Sequence, residues 1–154
     1  MRKGIALGAI ALAALLVTVS VARSDDHAKV ELKGIKCFIC NMQVSEDNSA
    51  DYKAAKVYFG CGGCPARFEA NLKKYAAKAN AQLVATKQAK QKACPLSGRP
   101  CKKEINTKVA GTTVYFCCNG CKKRVAKLKG DAQIEKVFGE AAFKKGFEIA
   151  KKGK

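Results

Sequence analysis

The residues with the most chemistry to offer are nine cysteines in a chain of 154. Four of them form two CxxC pairs, Cys37/Cys40 and Cys61/Cys64, with twenty residues between the pairs. A CxxC turn can present two thiolates to one ion at about 2.3 Å, and a second such turn completes a tetrahedron. Five further cysteines follow: Cys94, Cys101, Cys117, Cys118 and Cys121. They suit a three-thiolate site on Cys94, Cys121 and either Cys117 or Cys118. Three thiolates fit trigonal Cu(I), or zinc with an exchangeable fourth position. If Cys101 joins them, the second site closes as well. Disulfide staples are the competing use of the same residues, and thiol redox chemistry a third. The odd count, the paired spacing and the absence of an α/β context around the CxxC motifs favour metal over both.

These cysteines must be positioned by something, and the sequence repeats itself to do so. A shift of 57 residues lays Cys37 on Cys94, Cys61 on Cys118 and Cys64 on Cys121. Val57-Tyr58-Phe59 falls on Val114-Tyr115-Phe116, Gly63 on Gly120 and Arg67 on Arg124, without a gap. Two copies of one module follow, at 30–90 and 91–154. Within a copy, the Val-Tyr-Phe patches read as strands, and Asp47-Asn48 and Ala110-Gly111 as turns of short hairpins. Pro65 is placed for a helix start just after Cys64. Phe68, Leu72, Tyr75, Ala79 and Leu83 recur at helical spacing, which predicts one long amphipathic helix to about Lys90. In the second copy, Val125 and Leu128 face inward, Gly130-Asp131 interrupts, and a final helix carries Ile134, Val137, Phe138, Phe143 and Phe147. The fold class expected is α+β: knuckle, hairpin, then a helix whose first turn holds the last cysteines, in the manner of a treble clef.

The two copies differ where it matters for ligands. Ser97 stands at the place of Cys40, Cys117 at that of Gly60, and Cys101 at that of Val44. The first copy therefore reads as a closed, structural site, and the second as the exchangeable one.

Cys94-Pro95-Leu96-Ser97-Gly98, followed after a spacer by Val114-Tyr115-Phe116-Cys117-Cys118-Asn119-Gly120-Cys121, resembles the TRASH/YHS group of treble-clef domains. That group shows a Cys, a spacer and then Cys-x3-Cys after an aromatic strand, which Cys94, Cys117 and Cys121 match. In the first copy Cys37, Cys40 and Cys64 remain, while Gly60 occupies the Cys117 position, so Cys61 must substitute there. The resemblance covers the two cysteine cores and leaves out the long helices. It implies heavy-metal sensing, trafficking or resistance, with zinc or copper as the metal.

Composition narrows the rest. Thirty Lys+Arg oppose twelve Asp+Glu for a net charge of +18, and only 7% of residues are aromatic. So thin a core calls for staples or metal. Arg2 and Lys3 precede an apolar run from Gly4 to Val19, and Ser20 and Ala22 flank a cleavage point, which reads as a 1–22 signal peptide and places the chain in the periplasm or outside the cell. Left uncut, the same run would be a membrane anchor. The basic residues suit an anionic membrane or cell-wall surface. Without export, the same module and charge would point instead to RNA or the ribosome. Catalysis finds little support: His27 is the only histidine, and no catalytic triad, HExxH motif or phosphate-cradling loop occurs. CxxCH haem attachment is absent, and Met42 is the one methionine after Ala22.

Overall fold

Backbone that bends tightly needs residues willing to take a positive φ, and this chain places them at matching points of the two copies. The computed structural model describes residues 30–150; the signal-peptide reading and His27 lie outside the described residues. Strand β1 (Ser45–Tyr52) turns through Lys53 and Ala54, with φ of 51° and 60°, into β2 (Ala55–Phe59). Antiparallel to one another, they pair Tyr52 with Ala55 and Ser45 with Phe59, with a register shift between Ser45 and Ser49. Two consecutive positive φ values make the tight turn whose twist matches the strands. The copy 57 residues on does the same, with the turn on Ala110 and Gly111, β4 (Lys102–Val109), β5 (Thr112–Phe116) and the same register shift.

The hairpin expected at Asp47-Asn48 is therefore corrected. Those residues lie within β1, in its irregular stretch, and the turn falls at Lys53-Ala54.

After the first hairpin come α1 (Cys64–Glu69) and α2 (Leu72–Ala85), then β3 (Ala89–Gln91). The single long helix of the sequence reading is broken at Ala70-Asn71. Asn71 leaves helical backbone (φ −138°, ψ 42°), and its Nδ2 donates to the Arg67 carbonyl at 3.2 Å. An Asn side chain bonding back to its own backbone competes with helix continuation in this way. The break changes the helical phase: Phe68, Ala79 and Leu83 are fully buried, but Leu72 is 45% exposed. The second copy runs α3 (Asn119–Ala126), α4 (Gly130–Phe138), α5 (Glu140–Gly146) and β6 (Phe147–Ile149). Its second break, at Gly139, is the mate of Gln82 inside α2, and Phe147 opens a strand rather than closing a helix. Among the described residues the architecture is thus α+β, with five helices and three two-stranded antiparallel sheets.

The third sheet joins the copies. β3 pairs antiparallel with β6: Lys90 opposes Glu148 and Gln91 opposes Phe147. Since 148 is the repeat position of 91 and 147 that of 90, a local twofold axis runs through this ladder. α2 packs on α4 across the same junction, and one apolar core holds Phe59, Phe68, Phe116, Phe138 and Leu83, all fully buried.

Buried polar side chains tie the elements down. Gln82 Oε1 accepts from Tyr58 N at 2.7 Å while its Nε2 donates to Tyr58 O at 2.9 Å. Gln88 holds Lys56 in the same two-sided way, at 2.8 and 2.7 Å. Tyr115, the mate of Tyr58, is held instead by Gln91 at the end of β3, at 3.0 and 2.7 Å; Gly139 stands where the mate of Gln82 would be. These side chains occupy strand-edge groups that would otherwise template further pairing. Asn80, fully buried, donates to Phe138 O at 2.8 Å and accepts from Lys53 Nζ at 3.0 Å, and Lys53 reaches Glu140 at 2.8 Å.

Candidate metal centres

Each centre begins with a knuckle whose hydrogen bonds repeat with the offset. Cys37 N donates to Met42 O (2.8 Å) and Asn41 N to Cys37 O (2.9 Å), with Asn41 at φ 61°. In the second copy Cys94 N donates to Arg99 O (2.9 Å) and Gly98 N to Cys94 O (2.7 Å), with Gly98 at φ 73°. The knuckle presents the first thiol in a fixed place, and Ile39 N donates to Cys37 Sγ at 3.4 Å. The hairpin carries the chain back to Gly60-Cys61 or Cys117-Cys118, and the following helix sets Cys64 or Cys121 in its first turn.

Two triads result. The sulfurs of Cys37, Cys40 and Cys64 lie within 4.8 Å of one another, as do those of Cys94, Cys117 and Cys121. Tetrahedral zinc with bonds of about 2.3 Å separates its sulfurs by about 3.8 Å. Cys117 and Cys121 stand 3.7 Å apart, so the cysteines present can converge on one ion. Either cluster can hold a metal ion.

The remaining cysteines take different places. Cys61 Sγ lies 2.9 Å from Cys64 Sγ, a half-buried neighbour of the first triad. Its mate Cys118 lies 3.7 Å from Cys117 Sγ, half-buried at the edge of the second. Adjacent residues at a strand end face opposite ways, and here the buried one, Cys117, joins the triad. Cys101 is not brought to it: its thiol donates to Tyr115 O and accepts from Gln91 Nε2, both at 3.4 Å.

The third thiolate comes from different sides in the two centres. In the first it is Cys40, from the knuckle; in the second it is Cys117, from the strand end. The vacated positions are Gly60 and Ser97. A Cβ at Gly60 would sit 2.7 Å from Met42 Cβ, 3.0 Å from Gln43 O and 3.1 Å from Cys40 Sγ. Ser97 Oγ lies 3.2 Å from Cys117 Sγ and accepts from Arg99 N at 3.3 Å. Ser97 thus stands beside the sulfur that replaces its mate, while Gly60 leaves no space for a side chain.

Environment sorts the thiols by ease of ionisation. Burial pushes Cys64 well up, with Cys61 reinforcing it, and pushes Cys121 up to about 12. The bond to Cys64 draws Cys61 down against its own desolvation. Cys118 is drawn down to about 7, first by the backbone N–H of Cys121. Ser97 lowers Cys117; burial alone would raise Cys94, but bonds from Ser97 and from backbone N–H groups outweigh it. Cys101 is raised by burial. A metal ion replaces the protons of such a cluster on binding.

Two residues outside the expected ligand set stand beside the second triad: Ser97, and Arg99, whose Nη2 lies 4.0 Å from Cys118 Sγ. The offset itself carried the signal for Ser97, since Cys40/Gly60 becomes Ser97/Cys117 as a reciprocal exchange. No family model matches the sequence, and no curated protein or solved structure matches it either. No helix among the described residues is long and apolar enough to cross a membrane.

Proposed function

We propose that this chain is an exported metal-binding protein, made of two treble-clef-like modules of the TRASH/YHS kind, that takes a soft ion at each cysteine triad. Zinc and copper are the metals that the thiolate sets suit. Buffering, trafficking or resistance in the cell envelope is the role, and the protein binds rather than catalyses. One observation carries the reading: the same three-sulfur cluster recurs at both repeat positions although its third member has changed place. Two centres that keep their sulfur count while exchanging a residue are explained by a ligand requirement, and packing alone does not ask for it. The basic surface supports residence near anionic lipid or cell-wall polymer.

Metal analysis with free-thiol counting on protein purified from the periplasm tests this. Two equivalents of zinc or copper, with thiols shielded from alkylation until the metal is chelated, is the expected result. Metal-free protein with four disulfides would refute it and leave a stapled interaction domain. A mature protein that retains residues 1–22 in the cytoplasm would reopen the RNA-binding alternative.

A further inference from the structure

The two centres share a backbone and differ in what surrounds their mouths. From Cys37 to Glu69 the chain carries three basic and four acidic residues; from Cys94 to Ala126, the matching stretch, it carries seven and one. Three of the seven basic residues stand by the half-buried outer cysteine in space or along the backbone. In the second centre Arg99 Nη2 stands 4.0 Å from Cys118 Sγ. Lys102 opposes Phe116, the residue before the Cys117-Cys118 pair, across the β4–β5 ladder. Lys122 is the fourth residue of α3, next to Cys121, its backbone N–H donating to Cys118 O at 3.2 Å. Their mates in the first centre are Met42, Ser45 and Pro65, all uncharged. Arg99 and Lys102 are exposed and Lys122 is half-buried.

We infer that the second centre is loaded from a small anionic complex, a soft metal ion carried by a carboxylate-bearing thiol, which Arg99, Lys102 and Lys122 draw to Cys118. The inference rests on the metal-binding reading above. A guanidinium fork and two ammonium groups match carboxylates held beside a sulfur ligand, and a mouth of one charge sign raises the encounter rate with the opposite sign. Cys118 is the outermost sulfur of this centre, so it makes the first bond. Transfer is then ligand exchange: each metal–sulfur bond to the donor breaks as one to a cysteine Sγ forms. The incoming cysteine's proton goes to the departing thiolate, and no electron changes hands. The first centre, with Met42, Ser45 and Pro65 at the three matching positions and Glu46 and Asp47 beside them, lacks this preference.

The test uses the mature chain and two cadmium donors, the mercaptosuccinate complex and the mercaptoethanol complex, with cadmium retained after rapid desalting as the readout. Cys37→Ser leaves only the second centre, and Cys94→Ser only the first. At low salt the mercaptosuccinate-to-mercaptoethanol rate ratio is expected to be about tenfold larger for the second centre than for the first, and the gap should close in high salt. In the unaltered chain, which needs no cysteine change, Arg99→Ala/Lys102→Ala/Lys122→Ala should slow one of two loading phases by a similar factor from mercaptosuccinate and neither phase from mercaptoethanol. Equal ratios at the two centres, or a triple variant that loads like the parent, would overturn the inference while leaving metal binding intact. Folded protein that takes up no cadmium from either donor or from the aquo ion would instead end the metal-binding reading itself.

Discussion

If the third thiolate is interchangeable between the two sides of a centre, it can be moved experimentally. Cys117→Gly removes it from the second centre and leaves Cys94 and Cys121. Structural zinc sites with four ligands contribute roughly 10–16 kcal/mol, or about 3 kcal/mol per ligand. Loss of one thiolate should therefore weaken binding at this centre by about a hundredfold, taking 1.4 kcal/mol per decade. Adding Ser97→Cys supplies a sulfur where Ser97 Oγ already stands, 3.2 Å from Cys117 Sγ. The double variant should recover to within about tenfold of the parent. The same exchange made in reverse in the first centre, Cys40→Ser with Gly60→Cys, should rescue less. A Cβ at Gly60 meets Met42 Cβ at 2.7 Å and Gln43 O at 3.0 Å, and removing the Cys40 sulfur relieves neither. That overpacking costs about 1–3 kcal/mol and should show as a lowered urea midpoint as well as poor binding. Competition against a chelator of known affinity measures each site, and the cadmium–thiolate absorbance counts the sulfurs engaged. A double variant in the second centre as weak as Cys117→Gly alone would refute the exchange. Equal rescue in both centres would refute the role given to Gly60.

Two further outcomes follow from the polar anchors. Gln82→Met strips both partners from the buried Tyr58 backbone and should destabilise the protein by about 2–4 kcal/mol in urea unfolding, with metal stoichiometry at the second centre unchanged. Glu140 gives a pH dependence: burial alone would raise its carboxyl, but bonds from Lys53, Tyr52 and Asn80 outweigh it and hold it below the ordinary carboxylate range. A folded-state value below the unfolded one adds stability above the unfolded value and loses it as the pH falls through the folded one. Glu140→Gln should therefore be less stable than the parent at neutral pH, and the two urea midpoints should converge on acidification. Divergence would show that the carboxylate is not the group that responds.

The repeat was legible because the cysteines and the Val-Tyr-Phe patches stand in one gapless register, and it indicated a hairpin and then a helix in each copy, with Pro65 marking the first helix start and α3 beginning at Asn119, three residues before the Lys122 that the sequence suggests. Local composition then misled where pairing decides. Asp47-Asn48 carries turn chemistry but sits in the irregular part of β1, while the actual turn takes Lys53 and Ala54 to positive φ. Carrying Ala110-Gly111 back by 57 would have found it. Helical periodicity linked Phe68 to Leu83 across a break that Asn71 makes by bonding to Arg67 O, which is why Leu72 was assigned to the wrong side. β3 and β6 left no trace in the sequence. Three-residue strands have no periodicity to read, and each exists because the other is there to pair with it.

That last pairing explains how the two centres came to differ. β3 and β6 are the same segment of the module, joined about a local twofold axis, so the chain has the geometry of a dimer built from two copies of itself. In a true homodimer, Gly60 and Cys117 would be one residue, as would Cys40 and Ser97, or Met42 and Arg99. Any change would strike both centres at once. A knuckle that lost its cysteine would leave both with two sulfurs unless a second change arrived with it. Joining the modules in one chain removes that constraint. One centre can take its third sulfur from the strand end and set Arg99, Lys102 and Lys122 near Cys118, while the other takes it from Cys40 and has Met42, Ser45 and Pro65 at those positions. The shared core and the Asn80–Lys53–Glu140 bonds across the junction hold the modules together while their centres diverge. The ninth cysteine belongs to the same history. Cys101 stands where the first copy buries Val44, and its thiol is spent on Tyr115 O and Gln91; it anchors the junction rather than enlarging the ligand set.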